Sequence, residues 1–203
     1  TVMMAIRFGI ARGLFTNESG LGSAPIVDAA AVTRNPVRQG LIAMTGVFWD
    51  TIIVCALTGL VLVSSILKSP ESLAGLTGGA LSSAAFNNIP VIGPIVLTVG
   101  LITFAWSTIL GWSYYGERCW VYLCGQKAIM PFRIIYTLVV FVGSVMTLDA
   151  VWGIADILNA CMAFPNLIAL LGLSGVIVAE TKKYLFSDNM DGWSDDEIPV
   201  VDK

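Results

Sequence analysis

The sequence predicts an all-α integral membrane protein, and three observations carry that prediction. Of its 203 residues 56% are hydrophobic and only 12% charged, with a mean hydropathy of +0.82. That balance is too apolar for a soluble domain of this length. The apolar residues gather in stretches long enough to cross a ~30 Å hydrocarbon core. Finally, RFGIARGLFTNESGLGSAP, residues 7–25, places Gly9, Gly13, Gly20, Gly22, Arg7, Arg12, Asn17 and Glu18 inside one such stretch.

That first span covers residues 2–32 and is read as a broken helix. A lipid-facing helix of this composition would be penalised, because freed backbone groups and charges find no water at membrane depth. An interruption of this kind lines a cavity that takes something polar or ionic, with helix N–H groups suited to a carboxylate and carbonyls to a small cation. The alternative for the glycines alone is close packing against neighbouring helices.

Arg34, Asn35, Pro36 and Arg38 form a short basic turn before a second span at residues 39–66. Residues 67–90, rich in Ser, Gly, Ala and Pro, read as an extramembrane loop with a short helical hairpin. Pro94 opens a third span, 94–124, and Pro131 a fourth, 131–147, as proline suits a first helical turn. Pro165 and Asn166 divide the last apolar region into an interfacial or re-entrant helix, 149–162, and a fifth crossing, 165–182. Arg34, Arg38, Arg118, Lys127 and Arg133 mark one side as cytoplasmic. Lys182 and Lys183 belong there too, which requires an odd number of crossings. Residues 1–186 thus form one helical bundle, followed by an acidic cytoplasmic tail, 187–203, expected to be disordered. The chain begins inside an apolar helix, so it is expected to be the C-terminal part of a longer protein.

Several functions are excluded by what is missing. The sequence has no histidine, the commonest proton shuttle and metal ligand. It shows no paired carboxylates on one helix face, so enzymatic proton transfer or metal hydrolysis lacks its usual groups. No basic patch supports nucleic-acid binding. Cys55, Cys119, Cys124 and Cys161 lack metal-ligand spacing and read as buried free thiols.

Other residues could carry chemistry. In the third span Phe104, Ser107, Thr108, Gly111 and Trp112 share a helix face that offers two hydroxyls, a gap and an indole. Hydroxyl oxygens suit Na⁺, although Ser and Thr also bond back to their own helix. Asp50 lies mid-span, where a carboxylate costs about 3 kcal/mol and needs a partner. It would pair with Arg7 or Arg12, ligate a cation or carry a proton. Asp156 and Asn159, one turn apart near Pro165, are placed to line a gate or cap helix ends.

RGLFTNESGLGSAP, NPVRQGL…GVFWDTIIVCALTG, STILGWSYYGER and ADILNACMAFPNLIALL…LSGVIV together resemble the alanine or glycine:cation symporter family of bacteria and archaea. The resemblance covers nearly the whole chain apart from residues 67–90 and the tail. It implies a fold like the leucine-transporter class, with two inverted five-helix repeats and one broken helix in each. This chain resembles the second repeat alone, so the N-terminal repeat of the same protein would be its partner. By resemblance, Phe8, Gly9 and Ile10 in the broken helix would give backbone and van der Waals contacts to a small neutral amino acid. Thr108 and Trp112 would face that substrate, and Ser107 and Thr108 would coordinate Na⁺. The function implied is sodium-coupled symport of alanine or glycine by alternating access, in the plasma membrane of a prokaryote. No organic cofactor is implied. Proton coupling through Asp50, paired or not with Arg12, is the alternative, and a channel or structural membrane subunit a more distant one.

Overall fold

The computed structural model describes residues 2–18, 20–33 and 35–187. Every regular element among them is helical. Four helical stretches are long and apolar enough to cross a membrane: Pro36–Lys68, Ile92–Cys124, Gln126–Val145 and Leu148–Gly172. Their outer faces carry large apolar side chains such as Ile102, Trp106, Phe141 and Leu171, all exposed, as lipid-facing surfaces require. The chain gathers into two compact units, Thr1–Phe48 with Trp152–Lys203, and Trp49–Val151, where the sequence suggested a single bundle.

The first unit starts with α1 (Val2–Thr16), leaves helical geometry at residues 17, 18 and 20–23, and resumes in the short α2 (Ala24–Asp28). The interruption is therefore shorter and later than the glycine pattern suggested. Gly9 and Gly13 stay within regular α1, and only Gly20 and Gly22 of the four adopt positive φ, both +78°. The reason is a matter of size. A helical glycine costs about 1 kcal/mol relative to alanine, whereas each unsatisfied backbone group in lipid costs several. Glycine content alone does not unwind a helix.

Asn35 caps α3 (Pro36–Val47) by accepting a 3.0 Å hydrogen bond from the Arg38 amide, with Pro36 in the first turn. Gln39 of α3 donates to Asp28 at the end of α2 over 2.8 Å. The unit also contains most of α9 (Leu148–Gly172) and all of α10 (Ser174–Tyr184), which packs on α3. Here the structure corrects the expected split into 149–162 and 165–182. Helix α9 runs unbroken through Pro165, and the discontinuity falls at Leu173. Proline removes a single N–H from the ladder. Opening the helix at that depth would strand several groups, so the helix persists.

The second unit begins within a wide π-helical stretch, Phe48–Cys55, which leads into α4 (Ala56–Lys68). Two short helices follow, α5 (Pro70–Leu73) and α6 (Gly78–Asn87), and α6 packs against both α4 and α7 (Ile92–Cys124). Ser65 of α4 donates to the buried Ala85 carbonyl of α6. A tight turn through Gln126–Ala128 leads to α8 (Ile129–Val145), antiparallel to α7. Gly116 permits that approach, since a Cβ there would come within 2.5 Å of the Phe132 ring. Tyr136 of α8 donates to the Ile109 carbonyl at 2.9 Å, and Arg133 binds Glu117 at 2.6 Å.

All four cysteines are free, as expected, but they are exposed rather than buried. They sit on outward helix faces, where lipid rather than protein would cover them. Arg34 and the acidic tail beyond Ser187 lie outside the described residues.

Candidate functional site

The interrupted helix of the first unit holds most of the polar chemistry. Past Thr16 the chain turns sharply, with Glu18 at φ +52° and Gly20 and Gly22 at +78°. Those angles need glycine at two positions and strain the glutamate at the third. The turn is closed internally by Ser23, whose hydroxyl donates to Glu18 Oε2 over 2.7 Å. Ser23 is only 1% exposed and Leu21 is buried beside it, so the segment is packed rather than loose.

Contacts at two levels tie this region to α9. At the level of α1, the Arg12 guanidinium donates to Asp156 at 2.8 Å and lies over the Trp152 ring at 3.7 Å. Phe15 meets the same indole edge to face, 6.1 Å between centroids. Spacing explains the meeting. Arg12 and Phe15 are three residues apart and Trp152 and Asp156 four, so each pair shares a helix face. At the unwound turn itself, Asn166 Nδ2 donates to the Gly20 carbonyl at 2.9 Å.

Arg12 and Asp50 were read together as a coupling or structural pair; the carboxylate that Arg12 holds is that of Asp156. Asp50 lies in the π-helical stretch, and its Oδ2 is buried with no hydrogen-bond partner among the described residues. Phe8, Gly9 and Ile10 sit within unbroken turns of α1, so their backbone groups are committed to the helix. Backbone outside helical geometry belongs instead to residues 17, 18 and 20–23. Asp156, which the sequence placed at a gate or a helix end, is thus the partner of Arg12, and Asn166, taken only as a divider, contacts the turn.

In the second unit, Ser107, Thr108 and Trp112 lie on α7. At about 100° per residue, Ile109, Gly116 and Trp120 form the face that meets α8, where Trp120 and Phe132 stack at 6.2 Å. Ser107 and Gly111 are half a turn away from that face, and both hydroxyl-bearing residues are exposed. Ser107 donates to the Phe104 carbonyl at 3.0 Å, which leaves the oxygen's lone pairs outward. Trp112 packs edge to face on Tyr115 at 5.8 Å.

Among the described residues no cluster of three or more Cys, Asp, Glu or His groups could hold a metal ion. An open groove of about 420 Å³ between α3 and α10, walled by Val37, Leu41, Val176 and Ile177, is apolar and unsuited to a small ion.

An all-helical chain with several membrane-competent helices and a polar interruption braced by a neighbouring helix is a multi-pass membrane protein. Its sequence matches the sodium:alanine symporter family over residues 1–196, and the chain belongs to that family. It is 54% identical over 180 residues to a sodium/alanine symporter of Methanococcus maripaludis, covering 89% of this chain and 40% of that protein. An uncharacterized transporter of Haemophilus influenzae is 53% identical over 201 residues, 98% of this chain and 43% of its own length. A probable sodium/glutamine symporter of Bacillus subtilis is 35% identical over 183 residues, 89% and 37% of the two chains. The chain therefore spans about two-fifths of the length of these curated relatives.

Proposed function

We propose that this chain forms part of a secondary active transporter that carries a small neutral amino acid, alanine or glycine, together with Na⁺. In this reading it is the second inverted five-helix repeat of a leucine-transporter-like fold, working with an N-terminal repeat in the plasma membrane of a prokaryote. Family membership supports that class. The observation that supports the reading most directly is the turn between α1 and α2, where Glu18, Gly20 and Gly22 leave helical geometry, Ser23 donates to Glu18 and Asn166 donates to the Gly20 carbonyl. Non-helical backbone at membrane depth is retained where it faces a polar cavity.

Within this proposal, Ser107 and Thr108 supply oxygen ligands to Na⁺, and Thr108 and Trp112 contact the amino acid. Phe8, Gly9 and Ile10 contribute side-chain surface and closeness of approach rather than free peptide groups. Sodium binding favours the outward-open state, and its inward gradient drives uptake. Uptake of labelled alanine by the full-length protein in liposomes should follow an imposed Na⁺ gradient. Undiminished uptake with choline in place of Na⁺ would refute sodium coupling.

One observation favours a second reading. The unpartnered Asp50 carboxylate oxygen, in a π-helical stretch of the kind that recurs at functional sites, suits a proton carrier. A relative in Bacillus subtilis, 28% identical over 196 residues, is a putative sodium/proton-dependent alanine carrier. Transport driven by a pH gradient without Na⁺, and lost in Asp50→Asn, would select this reading.

A further inference from the structure

The side chain of Asn166 lies across the unwound turn with both ends engaged. Its amide nitrogen donates to the Gly20 carbonyl at 2.9 Å. Its Oδ1 lies 2.8 Å from where a Cβ on Gly22 would stand, and its Cγ 3.1 Å. One end therefore holds the peptide group at Gly20, and the other leaves no room for a side chain at Gly22. Both glycines have φ of +78°, so the peptide groups between them are oriented as few other residues would allow. A second brace, Ser23 to Glu18, is internal to the turn. Asn166 holds the segment from outside it.

Its place on α9 adds to this. Pro165 immediately precedes it and lacks the N–H that would bind the carbonyl one turn back, so α9 is most easily bent at this point. A bend there moves the Asn166 amide, and with it the Gly20 carbonyl. Asparagine is also the fitting chemistry. A donor must meet the carbonyl, and an aspartate of the same size would present an oxygen to it instead.

We propose that Asn166 is a positioning residue for ligand binding: it sets the orientation of the peptide groups at Gly20–Gly22, so that bending of α9 at Pro165 and the binding geometry of residues 17–23 change together. This rests on the functional reading above. It adds that α9, far along the chain, controls the binding competence of the first interrupted helix.

The test uses the full-length protein in liposomes, with Asn166→Asp as an isosteric change that reverses the polarity of the contact. Two quantities are read: the half-saturating Na⁺ and alanine concentrations against the maximal rate, and hydrogen exchange of the amides in residues 17–23 compared with those of α10. The half-saturating concentrations should rise by roughly fivefold or more, the factor expected for one hydrogen bond, with the maximal rate reduced less. Exchange should speed up in residues 17–23 and stay unchanged in α10. Native half-saturation together with native exchange would overturn the proposal, as would uniform acceleration of exchange in both regions. Should Asn166→Asp fail to assemble, Asn166→Ala removes the bond without an oxygen-to-oxygen contact and is read by the same criteria. If the unaltered protein shows no Na⁺-driven uptake, the functional reading fails, and the exchange data alone decide whether Asn166 orders the turn.

Discussion

Arg12 and Asp156 form a 2.8 Å ion pair between α1 and α9, separated by 144 residues in sequence, with the guanidinium seated on the Trp152 indole. Asp156 lies about 12 Å along α9 from its start at 1.5 Å per residue, well inside a membrane-competent helix. Both side chains keep some exposure, 33% and 51%, and in water such a pair would contribute about 0–1 kcal/mol. In a bilayer the alternative is an unpaired charge costing about 3 kcal/mol. Asp156→Asn should therefore lower the melting temperature more than the double variant Arg12→Leu with Asp156→Leu, which removes both charges. Trp152→Leu, which keeps the ion pair and loses the cation–π contact of about 0.5–1 kcal/mol with the edge-to-face contact to Phe15, should fall nearer the unaltered protein. Thermal denaturation in detergent ranks the three. Equal losses for the single and double charge variants would show that the pair is not coupled.

Two glycines of the same segment should respond oppositely to alanine. A Cβ at Gly9 meets nothing within 4 Å and lies in a regular helix, so Gly9→Ala should hold or raise stability, by up to about 1 kcal/mol. Gly22→Ala places a side chain at φ +78°, a cost of roughly 1–2 kcal/mol, and drives it into Asn166. Melting curves should separate the two clearly. If Gly9 lines the substrate path, alanine uptake will drop in Gly9→Ala without any loss of stability.

The all-helical, membrane-competent class was legible in the sequence because long apolar runs bounded by proline and basic residues have few alternatives in a bilayer. The position of the break was not. Glycine marks where backbone freedom is available, but only tertiary contacts decide where it is used, and those come from Asn166 on a distant helix. Pro165 misled for a related reason: its local effect on one hydrogen bond is real, yet smaller than the penalty for opening α9 there. Likewise Asp50 and Asp156 were both recognisable as carboxylates within apolar stretches. Sequence gives the level of a residue along its helix, not which neighbour its face meets, so Arg12 found the other one.

The α7–α8 hairpin should depend on Arg133 far more than on Arg118. Glu117 is 7% exposed, with Arg133 Nε at 2.6 Å and Arg118 only at 3.9 Å. Arg133→Ala leaves a nearly enclosed carboxylate without its hydrogen-bonded partner, whereas Arg118→Ala removes a distant charge from the surface. Thermal denaturation should show a large loss for the first and a small one for the second. Glu117→Gln keeps an acceptor for Arg133 and should lie between them. Comparable losses for the two arginine variants would mean that the pair is not what holds the hairpin.

The hydroxyls of α7 offer the sharpest check on sodium. Ser107 points its proton at the Phe104 carbonyl, so its oxygen remains free to accept a cation, and it stands on the face turned away from α8. Ser107→Ala costs the helix little, because a serine bonded back to its own turn adds little to helix stability. Its effect should appear in the ion dependence instead. The half-saturating Na⁺ concentration is expected to rise roughly tenfold, the scale of one bond to a charged group, while half-saturating alanine measured at saturating Na⁺ stays near its native value. Thr108→Ala should raise both, since Thr108 is proposed to contact ion and substrate. The two variants thus differ in pattern, not merely in size. An unchanged Na⁺ dependence in both would place the ion elsewhere and leave these hydroxyls as ordinary members of the helix.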